Sequence, residues 1–273
     1  MSGFSIAWLN LREAADLRAR DQTLRDKAQQ WLGIGPLAGS ISPHEAIVVD
    51  LGAGTGSTLR ALSAPGSQQL VWRLVDSDGD LLDEALRRYG RDYRIEDYQN
   101  DLAVIGELPL GGARLVTASA LFDLLSAALV DTLVARLQAQ CKSWPIGLYA
   151  ALNYDGTTAW SPPHAYDAAV LAAFNRDQRR DKGTGAALGP DSGDYLVKVL
   201  QQAGFTVHSA HSPWQLGPAE ADMVEELING ITAAVGADPE LDAAALQQWQ
   251  QFRLAHATTG TCMVGHVDVL ALP

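Results

Sequence analysis

The chain has 273 residues, 47% of them hydrophobic and 19% charged, with a formal net charge of −12. This length and composition suit one large α/β domain with a sizeable core and exclude a disordered chain. The acidic balance argues against nucleic acid, whose phosphates call for a basic stripe on the protein.

Residues 10 to 32 are predicted as one helix, with Leu24, Ala28, Trp31 and Leu32 on a single apolar stripe and Gly33, Gly35 and Pro36 as the stop. A short apolar run, Ala46 to Asp50, predicts the first strand, followed by a glycine-rich turn and a helix from Ser57 to Ser63. Further strands are predicted at Leu70 to Val75, 93 to 98, Ala113 to Ala118 and Trp144 to Leu152. Helices from Asp80 to Tyr89 and from Leu124 to Gln140 alternate with them. Such alternation argues for βαβ units on a parallel sheet covered on both faces. Residues 153 to 193 turn polar. After them come a helix from Tyr195 to Ala203, a sixth strand from Phe205 to Ala210, two helices near 218 to 235 and 239 to 256, and a closing strand from Cys262 to Leu272. Cys141 and Cys262 lack metal-ligand spacing and are expected as free thiols in a reducing compartment. The start of the chain does not read as a secretory signal. The most apolar window, Leu115 to Val134, is interrupted by Asp123 and Asp131, so a cytoplasmic protein without a membrane span is expected.

The sharpest motif is Asp50-Leu51-Gly52-Ala53-Gly54-Thr55-Gly56, between a strand and a helix. Its glycines permit a tight turn and close backbone approach to a ligand. Asp76 ends the next strand, where a carboxylate can accept both hydroxyl hydrogens of a ribose. Together they predict an adenosine-containing cofactor at the carboxyl ends of the strands. The dinucleotide pattern Gly-x-Gly-x-x-Gly/Ala fails, because its sixth position is Ser57 counted from Gly52 and Leu59 counted from Gly54. No Lys-Ser/Thr follows, which argues against a Walker-type phosphate loop.

Acid-x-Gly-x-Gly-x-Gly resembles motif I of the class I S-adenosylmethionine-dependent methyltransferases. The resemblance covers residues 46 to 211. It implies a Rossmann-like α/β fold, a mostly parallel seven-stranded sheet with helices on both faces and a helical lid. It further implies S-adenosylmethionine as cofactor and S-adenosylhomocysteine as product; the long segments after the fifth and sixth strands let no acceptor specificity carry over, and the acidic charge makes a small-molecule acceptor, methylated on O or N, the expectation. The cofactor residues it implies are Asp50, Gly52, Ala53, Gly54, Gly56, Asp76, Ser77, Asn100, Asp101, Leu102 and Ser119. Ser119 to Asp123 sits where the family lines its active site, and Leu200-Gln201-Gln202-Ala203-Gly204-Phe205 is similar to a frequent family segment. The nucleic-acid motif Asn/Asp-Pro-Pro-Tyr/Phe is missing after the fourth strand. A helical cap over residues 1 to 40 and insertions at 153 to 193 and 212 to 258 are expected to form a substrate lid within one domain of residues 1 to 273.

Asp123, Asp155 and His164 are the candidate bases, and no metal is expected, although Asp123 with Asp155 could contribute to one. Arg12, Phe122, Asn153 and Tyr154 are candidates for acceptor binding. Arg12, Asp16 and Arg20 share a helix face, which reads either as a solvated, salt-bridged surface or as a helix closing over the site. The polar run from Asn175 to Lys182 reads as a solvated helix end or an anion site, and Trp214 as core or pocket wall. A homodimer is left open. Two other readings compete: a nicotinamide oxidoreductase, and a protein that binds S-adenosylmethionine without catalysis.

Overall fold

A computed structural model describes residues 4–34, 46–64 and 69–273. The first helical stretch is two helices, α1 (Ile6–Ala19) and α2 (Gln22–Leu32). The break falls at Arg20, whose backbone is extended (φ −53°, ψ 133°), and at Asp21, which caps α2 by accepting from Leu24 N at 2.8 Å. Gly33 ends α2 in the left-handed region (φ 73°), whereas Gly35 and Pro36 lie outside the described residues.

The alternating unit follows as β1 (Ala46–Leu51), α3 (Ser57–Leu62), β2 (Leu70–Asp76), α4 (Gly79–Tyr89), β3 (Arg94–Gln99), β4 (Ala113–Ser119) and α5 (Ala127–Cys141). Next come β5 (Gly147–Ser161), α6 (Asp167–Gln178), α7 (Ser192–Gln202), β6 (Thr206–His211), β7 (Trp214–Leu216), α8 (Ala221–Val235), α9 (Ala243–Ala255) and β8 (Thr261–Leu272). The sheet has eight strands, not the seven expected, in the order β3-β2-β1-β4-β5-β8-β6, with the short β7 also paired to β8. Strands β1 to β5 pair in parallel, and β8 is antiparallel to β5, β6 and β7.

The apolar strand runs bury both faces. On one, Leu133, Leu137, Leu196 and Leu200 of α5 and α7 pack on the sheet. On the other, Leu24, Leu59, Leu62 and Leu82 of α2, α3 and α4 pack around Trp72 and Tyr149. A third cluster lies apart from these and joins Tyr154, Val170, Trp214, Ile228, Trp249 and Val264.

That third cluster rests on a departure from the sequence reading. β5 does not stop at Leu152 but runs on to Ser161 and pairs with β8 as far as Thr261. Asn153, Tyr154 and Asp155 are therefore inside a strand rather than after it. The ladder slips in register between Ala150 and Asn153, and Asn153 Nδ2 fills the gap by donating to Ala150 O and Val267 O at 3.1 and 2.8 Å. Helix α6, within the stretch read as polar, contributes Val170 and Ala173 to the same cluster.

Asp268, fully buried on β8, ties these parts together. It accepts from Tyr149 Oη (3.1 Å), Leu152 N (2.8 Å), Ser212 Oγ (2.6 Å) and Asp21 N (3.0 Å). The last bond anchors the α1–α2 break to the sheet.

Candidate active site

Strand order changes direction at β1, which has β2 on one side and β4 on the other. Ligands in open α/β sheets bind outside the carboxyl ends of the strands at such a switch point. A cavity of 1480 Å³ opens along this edge. Its lining follows strand order: Gly52 to Thr55 after β1, Asp76 to Leu81 from β2 onward, Asp101 and Leu102 after β3, Ser119 to Leu121 after β4, Tyr154 on β5 and His266 on β8. From β2 to β8 is four strand steps, roughly 19 Å at about 4.8 Å per step. The cavity exceeds the 300–1,000 Å³ or so of a typical single-ligand pocket, so it has room for two ligands side by side.

At the β1–β2 end the turn is held in left-handed backbone, with Gly52 at φ 59°, Gly54 at 53° and Gly56 at 84°. A side chain on Gly52 would press on Leu121, and one on Gly54 would reach Leu9 of α1 at 3.3 Å. Both oxygens of Asp76 are oriented by the backbone: Oδ2 accepts from Gly54 N (2.8 Å) and Oδ1 from Asp78 N (3.0 Å). A carboxylate has about four acceptor positions, so about two stay free for further donors. Ala120 (φ 50°) and Leu152 (φ 57°) carry left-handed backbone without being glycine, at the ends of β4 and midway along β5. Both line the cavity, and Ala120 N donates to the O of Ala151, the residue before Leu152, at 2.9 Å. Such strained residues collect where a site fixes the backbone.

No family model matches the chain, and no curated protein matches it. Solved structures do. A cyclopropane-fatty-acyl-phospholipid synthase-like protein from Lactobacillus casei ATCC 334 is 12% identical, with a TM-score of 0.50 over 95% of this chain and 98% of that one. The chain has the class I methyltransferase fold. Other similar structures are magnesium protoporphyrin IX methyltransferase from Synechocystis PCC 6803 with bound S-adenosylhomocysteine (13% identity, 99% and 89% coverage, TM-score 0.48) and a cyclopropane synthase from Mycobacterium tuberculosis (11%, 90% and 83%, 0.48).

Within the class I fold, the cavity brings together Gly52, Ala53, Gly54, Asp76, Ser77, Asp101, Leu102 and Ser119 of the expected cofactor residues. Asp50, Gly56 and Asn100 are not in its lining. Asp50 is buried beneath the turn, where Thr117 Oγ1 donates to its Oδ1 at 2.7 Å and desolvation lifts its carboxyl to about 6. Gly56 caps α3, and Asn100 N donates to Asp76 O at 2.9 Å behind the Asp76 carboxylate. Of the expected acceptor residues, Arg12 and Tyr154 line the cavity, whereas Phe122 is buried in the main core and Asn153 fills the β5 slip. Of the candidate bases, Asp123 lines it and is 8% exposed. Asp155 accepts from Thr157 at 2.6 Å, and His164 accepts from Tyr166 N at 3.1 Å beside the Phe252 ring; both lie outside the lining. No group of three or more His, Cys, Asp or Glu side chains able to hold a metal occurs among the described residues.

The face of Arg12, Asp16 and Arg20 is not solvated: the three are 7, 3 and 4% exposed. Arg12 pairs with Asp16 at 2.9 Å and stacks on Trp214, whose Nε1 donates to Asp16 Oδ1 at 2.9 Å. Arg20 reaches from the helix break to Ser57 Oγ (3.2 Å) and Ser119 Oγ (2.9 Å), pinning the first residue of α3 to the end of β4. The lining also holds Trp8, Phe174, Lys182 and His266, which the sequence reading did not single out as functional beyond a polar run around Lys182. His266 carried one signal, as the lone imidazole of a closing strand that is mostly apolar apart from Thr261 and Asp268. Burial holds it near 3, so it is neutral in ordinary buffers.

Proposed function

We propose that this chain is an S-adenosylmethionine-dependent methyltransferase that methylates an O or N atom of a small molecule. One observation carries the reading: a cavity large enough for two ligands joins the glycine turn and Asp76 to a separate, largely aromatic end. The cofactor's donors match what the chain presents. Asp76 retains free acceptor positions for two ribose hydroxyls, Gly52 to Gly54 allow backbone-close approach, and Asp101 and Leu102 line the wall beyond β3 for the adenine.

When bound, S-adenosylmethionine supplies an electrophilic methyl group on a positively charged sulfur that leaves as a neutral thioether. The chain's work is then alignment and exclusion of water, worth on the order of 7–11 kcal/mol when reactants are well oriented. Leu121 packs against Gly52 and places the loop after β4, with Asp123 two residues on, beside the turn. Helix α1 covers the turn through Leu9, and the segments 153–193 and 212–258 wall the far end.

Calorimetric titration with S-adenosylhomocysteine, and with NADH as control, tests this. Binding of the first alone is expected, together with its loss in Gly54→Trp, which forces a bulky side chain into left-handed backbone against Leu9. Binding of NADH instead, or unchanged affinity in the variant, overturns the site.

A further inference from the structure

The far end of the cavity has a definite chemistry. Five rings from five elements touch in sequence: Trp8 of α1, Trp214 of β7, His266 of β8, Tyr154 of β5 and Phe174 of α6. The centroids are 6.4, 4.7, 6.4 and 5.8 Å apart in that order, and all five rings line the cavity. The cations here are already committed. Arg12 is paired with Asp16 at 2.9 Å and Lys182 with Asp177 at 3.0 Å. His266 is held neutral by burial. An anionic acceptor would therefore find no uncommitted positive charge among these lining groups. The carboxyl of Asp123 is the converse: it is nine-tenths buried and lines the cavity, and among the described residues it forms no ion pair within 4 Å and its Oδ1 has no hydrogen-bond partner. Unsatisfied buried polar atoms are rare enough to call for a partner.

We infer that the acceptor is a small amine, bound as its ammonium form between the aromatic arc and the Asp123 carboxylate. The inference rests on the methyltransferase reading and deepens it by naming the nucleophile. Ring faces attract cations through their quadrupole, most strongly in desolvated sites. The unmet carboxylate supplies the counter-charge. In a site this dry an ion pair gains by becoming a neutral pair. One ammonium proton passes to Asp123, and the freed nitrogen lone pair forms the new nitrogen–carbon bond. As that bond forms, the sulfur–carbon bond breaks with its electron pair retained on sulfur. The positive charge moves to the methylated nitrogen, and Asp123 returns its proton to water.

The test uses three soluble probes of one shape: choline, its neutral isostere 3,3-dimethylbutan-1-ol, and the anion 3,3-dimethylbutanoate. None accepts a methyl on nitrogen, so ligand-detected NMR at saturating S-adenosylhomocysteine reads binding alone. Choline should bind about tenfold or more tightly than the alcohol, a gap of the size expected for a desolvated cation–π and charge contact. The butanoate should bind weakest. Asp123→Asn should remove the preference for choline, and Phe174→Leu, which leaves every ionic group in place, should reduce it. S-adenosylhomocysteine affinity should be unchanged in both variants. Equal binding of choline and the alcohol, a preference for butanoate, or a choline preference that survives Asp123→Asn overturns the amine assignment while the methyl-donor site stands. Failure of S-adenosylhomocysteine to bind the unaltered protein overturns the methyltransferase reading, and the inference falls with it.

Discussion

Asp123→Asn should stabilise the protein in alkaline buffer and leave it unchanged in acid. Burial lifts this carboxyl from the ordinary 3.8 to about 6, opposed only in part by Arg12 and Lys182. Between those two values the folded protein keeps a proton that the unfolded chain has released, so stability falls as pH rises through the window. At about 1.4 kcal/mol per pH unit, ionising the buried group costs roughly 3 kcal/mol above pH 6 or so. Asparagine has the shape of the protonated carboxyl and never ionises. The variant should exceed the parent by about 2–3 kcal/mol at about pH 8 and match it near pH 4. Two other buried groups titrate in the background. Asp50 shifts in the same direction, to about 6. His266, lowered to about 3, acts oppositely, because the unfolded chain takes up its proton first as pH falls and stability is lost on the acid side. Both remain in parent and variant and cancel in the difference. Urea unfolding midpoints at about pH 4, 6 and 8 measure it. A difference that does not vary with pH, or a variant weaker than the parent in alkaline buffer, refutes the reading of Asp123 as a buried carboxyl without a counter-charge.

Asp268→Asn leaves one carbonyl oxygen and one amide to face four donors, two of them backbone N–H groups. Two unmet donors at about 1–3 kcal/mol each predict a loss of about 2–6 kcal/mol in urea unfolding, and a loss under about 1 kcal/mol would show that the carboxylate is not the organising group. Arg20→Met removes the single nitrogen, Nη2, that donates to both Ser57 and Ser119. Arg20 lies outside the cavity lining and acts by positioning, so S-adenosylhomocysteine affinity should fall about tenfold, the worth of roughly one hydrogen bond, with the acceptor-probe ranking unchanged. Unchanged affinity by calorimetry would mean that the two hydroxyls hold their places without it.

The parallel half of the fold was legible because β1, β2, β4 and the first half of β5 are buried on both faces and read as apolar runs, and because Asp50 and Asp76 mark the ends of two of them. The outer half of β5 was hidden for the opposite reason. Beyond Tyr154 one face is exposed, so the strand alternates and includes Asp155, Gly156 and Thr157, residues that also make loops. The α1–α2 break contains no glycine or proline; it is imposed by Asp268, 247 residues away. For the same reason, the charges Arg12, Asp16 and Arg20 left both a solvated face and a helix closing over the site open until Trp214, Ser57 and Ser119 are seen to meet them. The glycine-turn end of the cavity rests on local turn chemistry, and its turn and Asp76 could be placed from the sequence. The aromatic end is assembled from five separate elements, and only tertiary packing brings those rings together.

The long pairing of β5 and β8, carried across two register slips, has a consequence for selectivity. The floor of the sheet and the far wall of the cavity are one pair of strands, laddered from Leu148 and Ala271 out to Ser161 and Thr261. A wall continuous with the core does not swing aside to admit a bulkier guest. Along a homologous series, recognition should therefore end abruptly, since each methylene beyond the best fit meets an overpacking cost of about 1–3 kcal/mol.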